Sequence, residues 1–353
     1  MPYPKEERGV TDINTRPAPS REPRLGIALC GGGVRGLAHI GVLRVLEEEN
    51  IAIDAISGTS MGGLIAGAVG AGISLDELTA FAVDTKIMDL ASPDRSWRGF
   101  FDHRKMSSLL ADLLGSEDLR FEDLAIPVSV VAADIETGEM VVLDSGPLIP
   151  ALLATSALPL LFAPVRVDGR WLVDGGVLNN LPVDVVRRMD VDIVIGVDIP
   201  PSAQLDLTSD TEPAESRGPS LRRLFKVAGR AEWPLPFLIA EKSNGMTQRL
   251  INRTRLEICP PDLLLQIQLP SIGVLATDES SEAIEAGYRA ALQHVDDLRR
   301  VAEGSRNGWG PRLRGIRRRL RLAWRILRGP DYPLYPPQDG VRQQIAPPSR
   351  GEK

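Results

Sequence analysis

Residues 24–62, RLGIALCGGGVRGLAHIGVLRVLEEENIAIDAISGTSMG, constrain the fold more than any other stretch. Leu25 to Cys30 is a short apolar run that reads as a buried strand. It enters a glycine cluster, and a helical pattern follows, with Leu37, Ile40, Leu43, Val45 and Leu46 mostly three and four apart. Glu47 to Asn50 ends that helix. A second apolar run, Ile51 to Ile56, leads into Gly58-Thr59-Ser60-Met61-Gly62, and Leu64 to Ala71 reads as another apolar helix. The order strand, glycine loop, helix, strand, sharp turn, helix is that of an open α/β sheet. Such sheets place their sites at the carboxyl edge of adjacent parallel strands, so the two turns should lie side by side.

Each turn carries a motif. Gly31, Gly33 and Gly36 satisfy G-x-G-x-x-G. That pattern serves a tight strand-to-helix turn, or a dinucleotide site if an acid ends the second strand about 20 residues on. Asp54 has roughly that spacing but lies near the start of the strand. Gly58, Ser60 and Gly62 satisfy G-x-S-x-G. There a serine on a strained turn projects its hydroxyl above the sheet while the glycines allow the close turn; a helix N-cap serine between turn glycines is the plainer reading. A glycine-rich run of amides beside a nucleophile is what an oxyanion hole requires.

A serine hydroxyl needs a base. The chain has three histidines, His39, His103 and His294. Their settings read as structural: one turn beyond the glycine loop, in an aperiodic stretch, and beside the stripe of a long helix. A buried carboxylate can take the place of histidine. Asp174, at a strand end before Gly175-Gly176, is the acid best suited to that post. Asp134, in Asp134-Ile135-Glu136-Thr137-Gly138, reads as a hairpin-turn residue.

The three motifs Gly31-Gly32-Gly33-Val34-Arg35-Gly36, Gly58-Thr59-Ser60-Met61-Gly62 and Asp174-Gly175-Gly176, in that order, resemble the patatin-like phospholipase family. The blocks Ala154-Thr155-Ser156-Ala157-Leu158-Pro159 and Trp171 to Pro182 are similar too, and the resemblance covers about residues 24–200. It implies a three-layer αβα fold with a mainly parallel central sheet. It implies hydrolysis of fatty acyl esters of phospholipids or lysophospholipids by a Ser–Asp dyad, with no metal or cofactor. Carried over, Ser60 is the nucleophile, Asp174 the proton acceptor, and the amides of the 31–36 loop bind the oxyanion. Arg35 either stands near a phosphate or has a surface or structural role. Three alternatives stay open. They are an acyltransferase using the same acyl-Ser60 intermediate, a triad ordered Ser60, Asp198, His294, and a nucleotide-binding module built on the glycine loop.

The rest of the chain falls into three parts. Residues 1–23 are proline-rich and charged and read as a disordered arm. Residues 24–305 read as the catalytic domain, with a polar, acidic 200–219 expected to be a mobile insertion that could gate the site. Inside it, helices are expected from Ser74 to about Thr85, over Met106–Leu114, Leu148–Ser156 and Pro182–Met189, around 220–252, and in one long amphipathic run from Glu279 to Glu303. Strands are expected over 126–133, 139–143, 164–167, 171–173, 191–197 and 263–269. The aromatics between Ile87 and His103 read as core filler or as the lining of an apolar pocket.

Residues 306–353 read as a basic amphipathic helix and a proline-rich tail. Residues 312–328 hold eight Arg and no acid; the chain is formally −6, so the rest, without these eight positive charges, is −14. Leu313, Ile316, Leu320, Trp324 and Leu327 share one helix face, the pattern of a helix lying on an anionic membrane. Packing on the acidic body is the plainer reading, and no nucleic-acid partner is expected. The two cysteines, Cys30 and Cys259, supply no disulfide framework, and the N-terminal stretch has no apolar secretory segment. The expectation is a cytoplasmic protein with peripheral contact on the inner face of a membrane.

Overall fold

The structure, a computed structural model, describes residues 23–90, 92–94, 98–200, 235–269, 272–274 and 276–303. They fall within one compact unit spanning residues 1–307. The N-terminal arm apart from Pro23, the insertion from 201 onward, Trp97 and the basic tail lie outside the described residues.

Ten strands are described: β1 Leu25–Leu29, β2 Ala55–Thr59, β3 Ser92–Pro93, β4 Phe101–Asp102, β5 Val128–Asp134, β6 Met140–Leu143, β7 Val165–Val167, β8 Arg170–Asp174, β9 Ile193–Asp198 and β10 Leu263–Gln266. The helices are α1 Ala38–Glu48, α2 Met61–Gly70, α3 Leu75–Asp84, α4 Ile87–Leu90, α5 Arg104–Leu114, α6 Leu148–Thr155, α7 Val183–Val186, α8 Leu235–Ile258, α9 Ser280–Gln293 and α10 Val295–Glu303.

The main sheet runs β10-β9-β1-β2-β5-β8-β7, with β6 also on β5. From β10 to β5 every pairing is parallel. The strands β1, β2, β5 and β9 are buried along their whole length, as continuous apolar runs covered on two sides must be. Registered neighbours point to one face of a sheet. Ile27, Ile56 and Val128 are in register, and Val128 lies against Gly70 of α2. Gly26 and Ala55 therefore face the other way, and there Val186 of α7 lies on Gly26. Helices thus cover both faces, which is the expected three-layer αβα arrangement. C-terminal elements complete it: β10 extends the sheet past β9, and α9 packs along α1.

Several boundaries differ from the sequence reading. The second strand is Ala55–Thr59 rather than Ile51–Ile56. Asn50 turns with φ +55°, and the Ile51 amide bonds back to Leu46 O (2.8 Å), so 51–53 close α1 instead of extending the sheet. Gly58 and Thr59 are consequently strand residues, and α2 starts at Met61 rather than Leu64. The run Glu279–Glu303 is not one helix. It breaks at His294; of the stripe that helical spacing gives, Ile284, Ala291 and Leu298 are buried, and Tyr288 and Val295 are half-buried. After Pro182 the regular helix lasts only Val183–Val186. The Ser74 cap is realised as a reciprocal box: Ser74 Oγ accepts from the Glu77 amide (3.2 Å), and Glu77 Oε2 from the Ser74 amide (3.1 Å).

Candidate active site

The register on β5 brings the motifs together. One edge of β5 pairs with β6. The other edge pairs first with β2, ending at Thr59↔Val131, and then with β8, ending at Asp174↔Ala132. The strands β2 and β8 thus run head-on into each other along one edge, and each must turn away. The first turns at Ser60 and the second at Gly175. A Cβ on Gly175 would stand 2.2 Å from Val131 O, so no other residue fits where the two strand ends meet.

Ser60 has φ +55° and ψ −126°, a conformation that costs a non-glycine residue about 1–3 kcal/mol. Its surroundings hold it there. The Ser60 amide donates to Thr155 Oγ1 (3.0 Å), and Thr155 donates to Val131 O (2.5 Å). Thr59 Oγ1 donates to Asn179 O (2.9 Å). Gly58 lies against Gly62 O, and Gly62 against Leu29 O; a Cβ at either would stand within 2.5 Å of those oxygens. Ser60 also stands at the N-cap position of the ten-residue α2, where its side chain makes no capping bond and the helix's amide dipoles favour negative charge.

Asp174 is buried, and burial raises its pKa to about 6. Two hydrogen bonds oppose that rise, one from the Ser60 hydroxyl and one from the Gly176 amide (2.7 Å). The structure thus brings Ser60 and Asp174 into contact.

The glycine loop stands beside them because β1 and β2 are parallel neighbours. Gly31 faces Ser60, and Gly36 faces Met61. Within the loop the Gly31 amide donates to Asn180 O (3.1 Å) and the Val34 amide to Val274 O (2.8 Å). Among the described residues the amides of Gly32 and Gly33 have no backbone acceptor. Gly33 has φ +58°, and a Cβ there would stand 2.2 Å from Val274 O. Arg35 is buried at 4% exposure rather than on the surface. Its guanidinium lies 3.9 Å from Glu241, and its Nε donates to Gly32 O (3.4 Å).

A cavity of about 200 Å³ opens on these groups, with Gly32, Gly33, Val34, Arg35, Ser60, Met61, Asp174 and Asn180 on its wall. The rest is largely apolar, with Leu64, Leu78, Phe81, Leu110, Leu113 and Leu161 among the lining. Phe162 also lines it, and Phe101 packs on Phe162 (ring centroids 6.1 Å), so the aperiodic stretch contributes core behind the pocket. Glu241, Asn244 and Gln248 of α8 add a polar wall.

No histidine is on that wall. His39 is buried, donates from Nε2 to Cys30 O (2.7 Å), and is held neutral by burial with a pKa lowered to about 4. His103 donates to Ala163 O (2.6 Å). His294 is half-exposed beside Asp297, and Asp198 accepts from Gln266 Nε2 (3.1 Å). Neither belongs to the cavity, so the alternative triad is not assembled. Asp54 accepts from the Leu25 amide (2.6 Å) at the beginning of β1, the opposite end from the glycine loop, where it cannot meet a ribose. Asp134 accepts from the Glu136 and Thr137 amides, as a turn residue does.

The sequence reading assigned no role to Thr155, Asn180 or Val274. Asn180 ties two motifs: its Nδ2 donates to Gly31 O (3.3 Å), and its Oδ1 lies beside Gly31 and Gly176. Its sequence signal was its place in the Trp171–Pro182 block, six residues after Asp174. Val274 carried none.

A strained serine on a strand-to-helix elbow, a buried carboxylate and, among the described residues, two amides without a backbone acceptor thus line one apolar pocket on an αβα fold. Residues 27–187 match the patatin-like phospholipase family model, so that stretch of the chain is a patatin-like domain. An uncharacterized NTE family protein of Mycobacterium tuberculosis is 38% identical over 183 residues, covering 51% of this chain and 50% of its own length. The patatin-like phospholipase domain-containing protein 7 of Rattus norvegicus is 32% identical over 196 residues, 52% of this chain and 14% of its own length. The chain thus spans half or less of the length of these relatives. Among solved structures, VipD from Legionella pneumophila superposes with a TM-score of 0.48 at 15% identity, covering 79% of this chain and 67% of its own.

Proposed function

We propose that the protein is an acyl-ester hydrolase that cleaves fatty acyl esters of phospholipids or lysophospholipids, with Ser60 and Asp174 as its dyad. Asp174 takes the Ser60 proton as Oγ attacks the ester carbonyl. The oxyanion is held by the free amides of Gly32 and Gly33, a donor of this kind being worth about 3 kcal/mol. Collapse expels the alcohol, which leaves with the proton from Asp174, and acyl-Ser60 remains. Water then attacks the acyl group, again giving its proton to Asp174. The second collapse frees the fatty acid and returns the proton to Ser60.

The observation that carries this reading is the head-on meeting of β2 and β8 on β5, which sets the serine against the carboxylate. The pKa of about 6 supports it further, because it is high enough for a useful base and low enough to be ionised at neutral pH. The apolar lining suits an acyl chain.

The finer parts of the reading are a cytoplasmic location, peripheral contact with anionic membrane through 312–328, and gating of the pocket by 200–219. Among the described residues no helix is long and apolar enough to cross a membrane. The deciding experiment measures hydrolysis of short-chain esters and lysophospholipids by wild-type and Ser60→Ala protein. Activity falls to background in the variant; wild-type activity in Ser60→Ala refutes the assignment.

A further inference from the structure

Helix α8 turns its polar side inward. Glu241, Asn244, Gln248, Asn252 and Arg255 recur at three- and four-residue steps and so share one face. Arg255 ties that face down at one end, donating to Leu178 O (3.0 Å) just after the Asp-Gly-Gly turn. Asn252 is buried beside it in sequence, and Glu241 stands 3.9 Å from Arg35 of the glycine loop. Between these anchors Asn244 and Gln248 line the cavity.

Gly176 shows how near Gln248 comes to the dyad. A Cβ on Gly176 would stand 2.8 Å from Gln248 Nε2, 2.9 Å from Asn180 Oδ1 and 3.0 Å from Asp174 Oδ1. Three polar atoms from distant parts of the chain thus ring one point beside the catalytic carboxylate, and all three residues line the cavity. Gly176 is not in the left-handed region, so the space it leaves, rather than its conformation, is what a side chain would alter. The other two members are already held. Asp174 Oδ1 accepts from the Gly176 amide (2.7 Å), and Asn180 Nδ2 donates to Gly31 O (3.3 Å). Gln248 makes no hydrogen bond among the described residues, so its amide is available to a molecule in the cavity.

One donor and two acceptors are what an attacking water needs. Water offers two hydrogens and two lone pairs. Its hydrogens can go to Asp174 and Asn180 Oδ1 and one lone pair to Gln248 Nε2, which leaves the second lone pair for the acyl carbon. We propose that Gln248 seats the water that deacylates Ser60, donating to its oxygen while Asp174 and Asn180 hold its hydrogens. The water oxygen bonds to the acyl carbon and its proton passes to Asp174; as the bond from that carbon to Ser60 Oγ breaks, the proton returns to Ser60 and the fatty acid is free. The inference rests on the acyl-Ser60 mechanism and assigns to its second half a residue outside the three motifs.

The test is single-turnover cleavage of p-nitrophenyl butyrate by excess full-length protein, with and without Gln248→Met. Methionine keeps the length of the side chain and its helix propensity but has no N–H. Nitrophenolate is a good leaving group and needs no help from Gln248, so its release, which reads acylation, should keep the parent rate. Butyrate release should slow about tenfold, the usual effect of one lost hydrogen bond, and acyl-Ser60 should build up in the intact mass. Gln248→Glu gives an independent reading: a second carboxylate beside Asp174 should move the acid limb of ester hydrolysis to higher pH. Butyrate release at the parent rate in Gln248→Met overturns the inference. Equal slowing of both products does so too, because it marks a packing role, and so does an unmoved acid limb in Gln248→Glu, which places the side chain away from Asp174. A parent protein that releases neither product defeats the proposed function itself and this inference with it.

Discussion

Replacing Asp174 with asparagine is expected to stabilise the protein while inactivating it. Burial lifts the Asp174 pKa from the ordinary aspartate value of 3.8 to about 6. Between those two pH values the native carboxyl keeps its proton and the unfolded one has lost it. Native stability therefore falls as pH rises from about 4 to 6, and the deficit is constant above that window. At about 1.4 kcal/mol per pH unit the deficit is about 3 kcal/mol at pH 8 and about 1 kcal/mol at pH 4.5. Asparagine has nearly the same shape, carries no charge, and its Oδ1 can still accept the Gly176 amide that Asp174 accepts at 2.7 Å. Urea unfolding of both proteins at the two pH values measures the effect. The variant should be the more stable, and its advantage should widen by about 2 kcal/mol from pH 4.5 to 8. An advantage that does not change with pH, or a less stable variant at pH 8, refutes the argument that burial of this carboxylate is what raises its pKa.

The same group sets the pH–rate profile: kcat/KM for a neutral short-chain ester should climb through an acid limb near pH 6, falling toward tenfold per unit below it. A profile flat from pH 4.5 to 7 removes Asp174 as the base. Gly33→Ala should cost about 2 kcal/mol or more and abolish activity, because φ is +58° and the new methyl meets Val274 O; thermal unfolding and ester turnover read both effects. Asn180→Ala should lower kcat about 10–100-fold with KM nearly unchanged, since it loosens Gly31 and leaves the apolar lining of the pocket intact. Asn180→Asp should move the acid limb to higher pH by setting a second carboxylate beside Asp174, an effect that simple loosening does not produce.

The turns that make up this candidate site were legible in the sequence because each is written in local residues. Gly31 to Gly36, the Ser60 elbow and Asp174-Gly175-Gly176 each announce a sharp backbone event at a strand end. What the sequence did not carry is the pairing of distant chain segments. Nothing local says that β2 and β8 end on consecutive residues of β5, or that Val274 holds the glycine loop while Gly32 and Gly33 have no backbone acceptor among the described residues. Boundaries slipped where a local turn of the backbone overrode an apolar pattern. Ile51 and Ile53 look like strand residues, yet the left-handed Asn50 folds them back on α1. The stripe Ile284, Ala291, Leu298 was read correctly as a buried face but not as two helices broken at His294. In α8 helical spacing gives two faces and not which of them is buried.

The central claim is that Ser60 is a nucleophile activated by Asp174. Labelling with a fluorophosphonate ester, which phosphonylates an activated serine hydroxyl with loss of fluoride, tests it most directly when followed by peptide mass mapping. The account predicts a single adduct, on Ser60. Its rate of formation should rise with pH through about 6 and fall at least a hundredfold in Asp174→Asn. An adduct on another residue, or labelling of Ser60 that proceeds at the same rate in Asp174→Asn, would contradict it.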